Sequence, residues 1–508
     1  MSKEISFNKD AFTRLMVGFD KCANAVTGTL GPKGKNVMID DQMLPHITND
    51  GHTIANSISF PDAYENLGAW VVKNTSAQTN DDAGDGTTTT TVLLQEIVHR
   101  SLERPENPMQ IKNSLQDACK IVVEEIKKTA LPIKIEDIYK VALISSENEE
   151  IAKIVTEIIT KVGIEGVVIV EESRTFETSS EVLEGYEAKS GYMSPYFAND
   201  ASGAKAIYEN VAVLVAQKKI NTIMDIKPLF DQLAEAKTNQ LVIVCEEIDP
   251  QVMGILVLNK IQSKFNTLVI RATGELLEDI GATVGASIVS DSTGVTFDKI
   301  DISKHLGTAK KIICTEKKTL FIAETQEGKE HAERLKGLME NTPNQYEKES
   351  IQKRIAQLTG GIAVIRIGAA TDLDRVYRKH KTDDTVAAVK AALAEGIVEG
   401  GGMCLWRIAQ GIEPKTIGEE ILKKALTAPL RKICENSGVD YTEIVSKMPK
   451  NWGYDAKNDC YTIMIEDHII DPAKVERVAI ENAVSNASLF ITSHACIVDA
   501  KTDEHKTS

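Results

Sequence analysis

The sequence predicts an α/β multidomain protein in which two mostly helical end regions flank an α/β middle region. The chain has 508 residues, enough for about three domains at roughly 150 residues each. Apolar residues recur at helical spacing near both ends, and short runs of β-branched residues occur in the middle. The composition, 42% hydrophobic and 26% charged, is typical of globular proteins and excludes a disordered or collagen-like chain.

The N-terminal region is predicted to be mainly helical. Apolar residues at positions i, i+3, i+4 and i+7 predict a helix over 11–26. A glycine–proline turn at 31–34 and a short strand at 37–39 follow. Further helices are predicted over 64–78 and after the threonine run at 87–91, where the next residues are again apolar.

The middle region is predicted to alternate strands with helices. Continuous β-branched runs at 166–170, 211–215 and 241–244 are typical of strands that are buried on both faces. A segment rich in Glu and Lys over 329–358 predicts a pair of solvated helices. From residue 386 onwards the pattern is again mostly helical.

Glycines occur where the composition changes between these regions. If the two helical ends belong to one domain, the middle is an insertion, and the chain must cross twice between the two bodies. Gly185 and the pair Gly360–Gly361 lie near these crossings. Because glycine tolerates large backbone rotations, we predict hinges there.

Charge and cysteine content exclude several classes of protein. A net charge of −16 at pH 7 argues against a partner that is a nucleic acid or an anionic membrane. No run of 18 apolar residues occurs, and the N-terminus lacks the apolar stretch of a secretory signal, so we expect a cytoplasmic protein. The eight cysteines form no CxxC pair, which favours buried thiols over disulfides or a zinc site.

The most informative motif is an Asp-Gly turn followed by five threonines, residues 81–91. A glycine turn before a helix leaves backbone N–H groups free to bind phosphate, and a neighbouring carboxylate can bind Mg²⁺. An ordinary turn with a threonine-capped helix explains the same residues equally well. The motif alone does not decide between the two.

Other short motifs are weaker. Residues 29–36 look like a phosphate loop, but the glycine spacing is too short and Asn36 stands where a Ser or Thr is needed. Asp50 in a tight turn, Asp384 at the predicted start of a helix and the glycines at 400–402 are, singly, more typical of a turn, a helix cap and a loop.

Taken in order, these motifs closely resemble the group I chaperonins, the GroEL type, over essentially the whole chain. The matching segments are Thr29-Leu-Gly-Pro-Lys-Gly, Asn49-Asp-Gly, Ala83-Gly-Asp-Gly-Thr-Thr-Thr, Gly360-Gly-Ile-Ala-Val-Ile, Gly368-Ala-Ala-Thr, Glu395-Gly-Ile-Val-Glu-Gly-Gly-Gly and Asp471-Pro-Ala-Lys-Val. Each segment is weak alone, but the ordered set is highly specific.

The resemblance implies a three-domain ring subunit. The equatorial domain would comprise 1–128 and 395–508, and the apical domain 184–362. The intermediate domain would comprise the two segments between them, 129–183 and 363–394. Members of the family form seven-membered rings, single or double, and use ATP to capture and release non-native polypeptides. A lid-like co-chaperonin is a further candidate partner.

The resemblance also implies an ATP site with Mg²⁺, and with K⁺ as a further candidate. Asp85 matches the metal ligand, Asp384 the carboxylate that orients the attacking water, and Asp50 its equatorial partner. The remaining implied nucleotide-binding residues are Thr29, Leu30, Gly31, Pro32, Asn49, Gly86, Thr87, Thr88, Thr89, Ile144, Ser145, Gly400, Gly401, Asp455, Ala456, Ile469 and Asp471.

A polypeptide-binding surface is implied in the apical domain. Its implied members are apolar or aromatic: Tyr192, Tyr196, Phe197, Phe230, Met253, Val257 and Leu258. The sequence departs from the family pattern at Lys227, where leucine is usual, and at Ser190, where arginine is usual. Asn49 and Asp455 likewise replace the usual lysine and asparagine near the nucleotide.

Two other functions remain open on the sequence. One is a ring-forming holdase that binds non-native chains with weak or no ATP turnover. The other is a magnesium-dependent ligase or kinase acting on a small molecule, which would need a nucleophile or an acid–base set beside the phosphate site. Beyond Asp50 and Asp384 no such set is evident.

Overall fold

The computed structural model describes residues 3–40, 46–134, 137–164, 166–173, 175–200, 203–290, 293–323, 325–342 and 344–499. The chain divides into two compact units. The first unit comprises the described residues within 1–157, 172–178 and 367–508, and the second those within 158–171 and 179–366. Both end regions of the chain therefore lie in the first unit.

The helices in chain order are as follows: α1 Asn8–Thr27, α2 Gly51–Ser57, α3 Ala63–Ala83, α4 Thr87–Leu102, α5 Pro108–Thr129, α6 Ile138–Ser146, α7 Glu149–Val162, α8 Ile223–Glu235, α9 Pro250–Ile261, α10 Glu275–Val284, α11 Ile302–His305, α12 Gln326–Asn341, α13 Gln345–Thr359, α14 Asp372–Glu395, α15 Met403–Gly411, α16 Ile417–Ala425, α17 Ala428–Ser437, α18 Tyr441–Lys447 and α19 Ala473–Ile491.

The strands are β1 Lys3–Phe7, β2 Val37–Ile39, β3 His46–Thr48, β4 Val167–Glu172, β5 Ser179–Leu183, β6 Gly185–Ala188, β7 Ala206–Ala216, β8 Gln240–Cys245, β9 Asn266–Arg271, β10 Gly307–Cys314, β11 Thr319–Ile322, β12 Ile362–Ile367, β13 Ile397–Glu399, β14 Gly453–Asp455, β15 Cys460–Thr462, β16 Ile470–Pro472 and β17 Ala495–Asp499.

The first unit is a helical assembly around one large core. Helices α1, α3, α4, α5, α16 and α19 pack on one another. The apolar stripe that predicted α1 is the face it buries, since Phe19 and Val26 are fully buried there. Helix α3 continues to Ala83 and ends at Gly84, whose left-handed conformation (φ 70°) suits glycine.

Four two-stranded antiparallel sheets complete the first unit. Strand β1 pairs with β17, so the two ends of the chain meet, with Ile5 opposite Ile497. Strand β2 pairs with β3, β13 with β16, and β14 with β15. The β13–β16 pair brings residues 397–399 beside residues 470–472, which places two of the sequence motifs together.

The second unit contains a six-stranded mixed sheet in the order β6-β11-β10-β7-β8-β9. Strands β7, β8 and β9 are parallel and connected by α8 and α9. Residues 241–245 of β8 are fully buried, which explains why this strand is a continuous apolar run rather than an alternating one. Strands β4, β12 and β5 form a smaller sheet. Helices α12 and α13 confirm the predicted solvated helical pair.

A buried polar network joins three helices and a strand of the second unit. The Asp279 carboxylate accepts hydrogen bonds from Arg354 Nε at 3.0 Å and Nη2 at 2.8 Å. It also contacts His331 Nε2 at 2.8 Å and accepts from the Tyr186 hydroxyl at 3.3 Å. Burial alone would raise the pKa of Asp279, but the hydrogen bonds and charges of His331 and Arg354 lower this pKa below its usual value. The network fixes α10, α12 and α13 relative to β6.

The boundaries between the two units lie outside the predicted glycine hinges. They fall at four places: between Glu157 and Ile158, between Glu171 and Glu172, between Thr178 and Ser179, and between Arg366 and Ile367. Gly185 instead begins β6, where a Cβ atom would collide with the Phe321 carbonyl. Close packing, rather than hinge motion, therefore accounts for that glycine.

All eight cysteines are free thiols, and all but Cys460 are buried. The prediction of buried thiols is therefore confirmed for seven of the eight cysteines and is wrong for Cys460. Within the described residues, no helix combines the length and the apolar character needed to cross a membrane.

Candidate functional site

The glycine turn before α4 is held in a conformation that needs glycine at two positions. Gly84 and Gly86 have φ of 70° and 84°, in the left-handed region. A Cβ on Gly86 would lie 2.5 Å from Val475 Cγ1, and one on Gly84 would collide with Ala387. Asp85, between them, accepts the Gly86 N–H at 2.6 Å. The turn therefore presents one carboxylate at a fixed place.

The N-terminus of α4 is open to an anion. Gly86 is its N-cap and supplies no side-chain acceptor for the first N–H groups of the helix. Two other chain segments, those of Thr29 and Gly51, meet this helix end. Thr29 Oγ1 lies 3.5 Å from Thr88 Oγ1. A Cβ on Gly51 would lie 2.8 Å from the hydroxyls of both Thr87 and Thr88. The threonine hydroxyls and the free N–H groups of the helix can donate hydrogen bonds to phosphate oxygens. The absence of a side chain on Gly51 leaves room beside these donors.

The loop carrying Thr29 is fixed from the side by α17. Asn436 Nδ2 donates to the carbonyl of Thr27 at 3.1 Å and to that of Leu30 at 2.9 Å. Gly31 has φ 84°, and a Cβ there would lie 3.0 Å from Ile433. Helix α17, some four hundred residues later in the chain, therefore fixes the backbone conformation of the loop before Pro32.

Three predicted carboxylates lie close enough to perturb one another. Asp50 caps α2 by accepting the N–H groups of His52 at 3.2 Å and Thr53 at 2.8 Å. Burial raises the pKa of Asp85, and the charge of Asp50 raises it further. Burial, and then the charges of Asp85 and Asp50, raise the pKa of Asp384 well above its usual range. Such a concentration of negative charge calls for a cation.

The position of Asp384 corrects one expectation. The sequence predicted Asp384 at the start of a helix, but α14 begins twelve residues earlier and Asp384 lies in its middle. The helix is capped instead by Thr371, whose hydroxyl accepts the Asp374 N–H at 3.2 Å. The ordinary explanation of Asp384 as a helix cap is therefore wrong.

The β13–β16 pair brings a further acidic pair to the site. Asp471 accepts the Gly401 N–H, and Gly400 N–H donates to the Ile469 carbonyl at 2.9 Å. Burial, and then the charge of Asp85, raise the pKa of Asp471 to about 6. Asp471 also lies close enough to the carboxyl of Glu476, which is 4% exposed, for each group to shift the pKa of the other. Burial and the charge of Asp471 raise the pKa of Glu476 well above its usual range.

An apolar wall lies beside these polar groups. Leu30, Ala456 and Ile469 belong to one cluster with Tyr454 and Met464. Side chains from three distant predicted motifs therefore share one apolar surface, as the flat face of a base requires.

The other predicted nucleotide residues lie on neighbouring elements. The Asp455 carboxylate accepts the N–H groups of Lys457 at 2.8 Å and Asn458 at 3.2 Å. Ile144 and Ser145 lie on α6, which contacts both α14 and β16. Asn49 and Thr89 are half-buried beside Asp50 and Thr88.

The residues present fit a magnesium–nucleotide complex better than a metal held by protein alone. Among the described residues, no three His, Cys, Asp or Glu side chains are grouped to hold a metal ion. Mg²⁺ in phosphate sites needs only one or two carboxylates, since phosphate oxygens and water supply the other ligands. Asp85, at the threonine-lined N-terminus of α4, meets that requirement. The chemistry of the donors therefore agrees with the implied cofactor.

The second unit carries an exposed apolar surface on α8, α9 and the turn at 195–197. Of the predicted binding residues, Tyr196 is 68% and Leu258 56% exposed. Tyr192, Phe230, Met253 and Val257 are half-buried against the core. The remaining exposed apolar members were not predicted: Met224, Ile255 and Ile261.

Phe197 does not belong to this surface. Its ring is fully buried, and the Lys260 ammonium lies 5.7 Å from the ring centroid. The 3₁₀ turn Pro195–Phe197 directs Tyr196 outward and Phe197 into the core. In this structure Phe197 is unavailable to a bound polypeptide, contrary to the expectation from sequence.

Sequence reasoning missed three residues of the site. Lys381 lies one helical turn before Asp384, and its charge lowers the pKa of both Asp384 and Asp85. Glu476 and Asn436 are the other two, and they contact Asp471 and the Thr29 loop as described. Only the position of Lys381 on the Asp384 helix face could have indicated a role. Glu476 and Asn436 become evident only from tertiary contacts.

Comparison with protein families matches residues 22–501 to the TCP-1/cpn60 chaperonin family. Because this match spans nearly the whole chain, the protein belongs to the TCP-1/cpn60 chaperonin family. The resemblance seen in the ordered motifs is therefore confirmed.

Two crystal structures share the fold. Both are of the chaperonin gp146 from bacteriophage EL 2 (Pseudomonas aeruginosa) in the presence of ATP-BeFx. Crystal form II superposes with a TM-score of 0.72 and form I with 0.66. Each is 21% identical, and each match covers 98% of this chain and 99% of the other. The multidomain chaperonin fold predicted from sequence is thereby confirmed.

Proposed function

We propose that the protein is an ATP-driven chaperonin: Mg-ATP binds and is hydrolysed in the first unit, and non-native polypeptides bind the apolar surface of the second. The observation that carries the proposal is the convergence of Asp50, Asp85 and Asp384 beside the open N-terminus of α4. A purely structural role would not concentrate three carboxylates beside a helix N-terminus that is lined by threonine hydroxyls. Family membership, and the presence of ATP-BeFx with gp146, support the same conclusion.

Each residue has a role that its position supports. The α4 N-terminus and the threonine hydroxyls bind the phosphates, and Asp85 holds Mg²⁺, which would neutralise phosphate charge. The wall of Leu30, Ala456 and Ile469 holds the base. Asp384 orients a water molecule and accepts its proton, a role suited to a carboxylate whose pKa lies above its usual range.

The family's three-domain division fits these contacts. A backbone bridge joins the two places where the chain passes between the implied equatorial and intermediate domains. Leu131 N–H donates to the Ile397 carbonyl at 2.8 Å, and Ile397 N–H donates to the Leu131 carbonyl at 2.9 Å. Gly396, with φ 85°, lies at the end of α14. We propose the equatorial–intermediate hinge here, so that movement of α14 changes the distance from Asp384 to the phosphates.

Ring assembly is proposed through the two-stranded sheets of the first unit. The β1–β17 and β2–β3 pairs each leave backbone edges unpaired within the described chain. Both sheets expose apolar side chains, including Phe7 at 53%, Ile497 at 60% and Met38 at 71%. Joining these edges between subunits would satisfy both the backbone and the apolar surface.

Arg431 and Asp440 match a pair of residues that the family places at the contact between rings, but each has another partner within the chain. Arg431 Nη2 lies 2.7 Å from Glu96, and Asp440 caps α18 by accepting the Glu443 N–H at 2.8 Å. These contacts give no support for a double ring. We therefore propose a ring without specifying one layer or two, in the cytoplasm as the sequence predicts.

The test is ATP turnover by Asp384→Asn, with Asp383→Asn as the matched control. The control removes a neighbouring carboxylate that pairs with Lys379 at 3.8 Å. We expect turnover to fall by roughly a hundred- to ten-thousand-fold in Asp384→Asn while Mg-nucleotide binding survives. The control should keep wild-type turnover.

Native mass spectrometry on the same samples separates the alternatives. A large ring that binds denatured polypeptide but hydrolyses no ATP in the wild type identifies the holdase. A monomer that transfers phosphate to a small molecule identifies the ligase or kinase. Equal turnover in both variants and the wild type would refute the assignment of Asp384.

A further inference from the structure

A buried lysine lies on the same helix as the proposed water-orienting carboxylate. Lys381 is three residues before Asp384 in α14, and residues at this spacing share a helix face. The Lys381 side chain is only 15% exposed. Its Nζ lies 3.3 Å from Glu147 Oε1 at the end of α6. The ammonium group is thus mostly withdrawn from solvent and paired with Glu147.

The charge of Lys381 acts on the acids around the phosphate cradle. It lowers the pKa of both Asp85 and Asp384. Burial would lower the pKa of Lys381 itself, but Glu147, Tyr377 and Asp384 raise it overall. The side chain is therefore a cation at neutral pH, and its charge acts on both the metal-binding carboxylate and the water-orienting one.

Other basic side chains of α14 are paired with acids away from the cradle. These pairs are Arg375 with Glu172 at 3.3 Å, Arg378 with Asp374 at 3.5 Å and Lys379 with Asp383 at 3.8 Å. Lys381 differs because the ion-pair partner it has within the described residues, Glu147, is 63% exposed. An ion pair with a largely solvated carboxylate is weak. A phosphate, with more charge and several acceptor oxygens, competes well for such an ammonium group.

We propose that Lys381 is a catalytic residue that leaves Glu147 and binds the terminal phosphate of ATP. This inference rests on the proposed ATPase function and identifies which group recognises the third phosphate. In the ATP complex the terminal phosphate must lie between the metal at Asp85 and the water at Asp384. An ammonium group bound to that phosphate stabilises the negative charge that develops there during hydrolysis. ADP, which lacks this phosphate, leaves Lys381 with Glu147.

The experiment compares the affinities of Mg-ADP and of the Mg complex of the β,γ-imido analogue of ATP. Isothermal titration calorimetry is carried out on the full-length wild type and on Lys381→Gln, Lys381→Arg and Glu147→Gln. We expect Lys381→Gln to weaken analogue binding by about ten- to a hundredfold, the value of a charged hydrogen bond, and to leave ADP binding within about twofold. Lys381→Arg keeps the cation and should retain most of the discrimination.

Glu147→Gln separates phosphate binding from a merely structural ion pair. It breaks the same pair but leaves the ammonium group free, so analogue binding should be unchanged or tighter. Equal weakening by Lys381→Gln and Glu147→Gln, or equal loss of ADP and analogue affinity in Lys381→Gln, would overturn the inference. A wild type that binds neither nucleotide would instead refute the ATPase proposal as well. Circular dichroism confirms that each variant is folded.

Discussion

Replacement of Gly86 by alanine tests whether the turn before α4 must have the shape seen in the structure. Gly86 has φ 84°, and a Cβ there would lie 2.5 Å from Val475 Cγ1. Valine is β-branched and Val475 is 6% exposed, so its methyl group cannot rotate away freely. The turn itself must therefore move, and with it Asp85, which accepts the Gly86 N–H.

The magnitude follows from two separate costs. A left-handed backbone costs an L-residue roughly 1–2 kcal/mol. Overpacking a buried contact typically costs about 1–3 kcal/mol. Together they predict a loss of about 2–5 kcal/mol in the free energy of unfolding. Gly438 is the matched control, because it has φ 76° and a Cβ there would meet nothing within 4 Å. Gly438→Ala should lose only the backbone component.

The assay is urea unfolding followed by tryptophan fluorescence, together with titration of Mg-nucleotide. All three tryptophans, Trp70, Trp406 and Trp452, lie in the first unit, so the signal reports the unit that contains the turn. Nucleotide affinity should fall at least about tenfold in Gly86→Ala and stay at the wild-type value in Gly438→Ala. Val475→Ala in the Gly86→Ala background should restore the packing component. Equal effects of the two glycine substitutions would refute the reasoning.

Two further predictions concern buried carboxyl groups. Asp279→Asn removes the buried counter-charge of the Arg354 guanidinium, which is 11% exposed and keeps only the 67% exposed Glu275 as an ion-pair partner. The free energy of unfolding of the second unit should therefore fall by about 3–5 kcal/mol. Hydrogen exchange of peptides from 179–366 measures this loss, and unchanged protection there would contradict it. Burial raises the pKa of Asp471 from 3.8 to about 6, so the folded state binds its proton more tightly than the unfolded one. The free energy of unfolding without nucleotide should therefore fall as the pH rises from 3.8 to about 6. The urea midpoint should depend less on pH in Asp471→Asn than in the wild type. Identical pH profiles of the two proteins would argue against the pKa shift.

Helices with an apolar stripe could be predicted from the sequence, whereas helices held by charge could not. Helix α1 matches its prediction because its buried face is a regular stripe. The N-terminal half of α14 has no such stripe and is connected by ion pairs between side chains three or four residues apart, such as Arg375 with Asp372. The apolar pattern begins only near Val386. This is why the predicted helix began too late in the chain, with Asp384 at its N-terminus.

The candidate site was predictable only as a set of separate motifs. Each motif satisfies an ordinary local role, and Asp50 does cap α2 while it faces Asp85. The local sequence pattern cannot predict that Asp50, Asp85, Asp384 and Asp471 lie close together. Their proximity depends on contacts between elements that are distant in the chain. The family resemblance supplied that grouping. Lys381 was missed because a charged residue on a charged helix is typical of a solvated face.

Helix α14 explains how events in the second unit could control hydrolysis in the first. The chain leaves the second unit at Arg366 and enters α14 at Asp372. This helix carries Asp384, and by our inference Lys381 reads the third phosphate from the same face. Since one helix holds both groups, any displacement of α14 removes the water-orienting carboxylate and the phosphate-binding cation together. In the proposed mechanism, binding of the third phosphate and release of a captured polypeptide would be coupled through this helix, because it carries both groups that act on the phosphate.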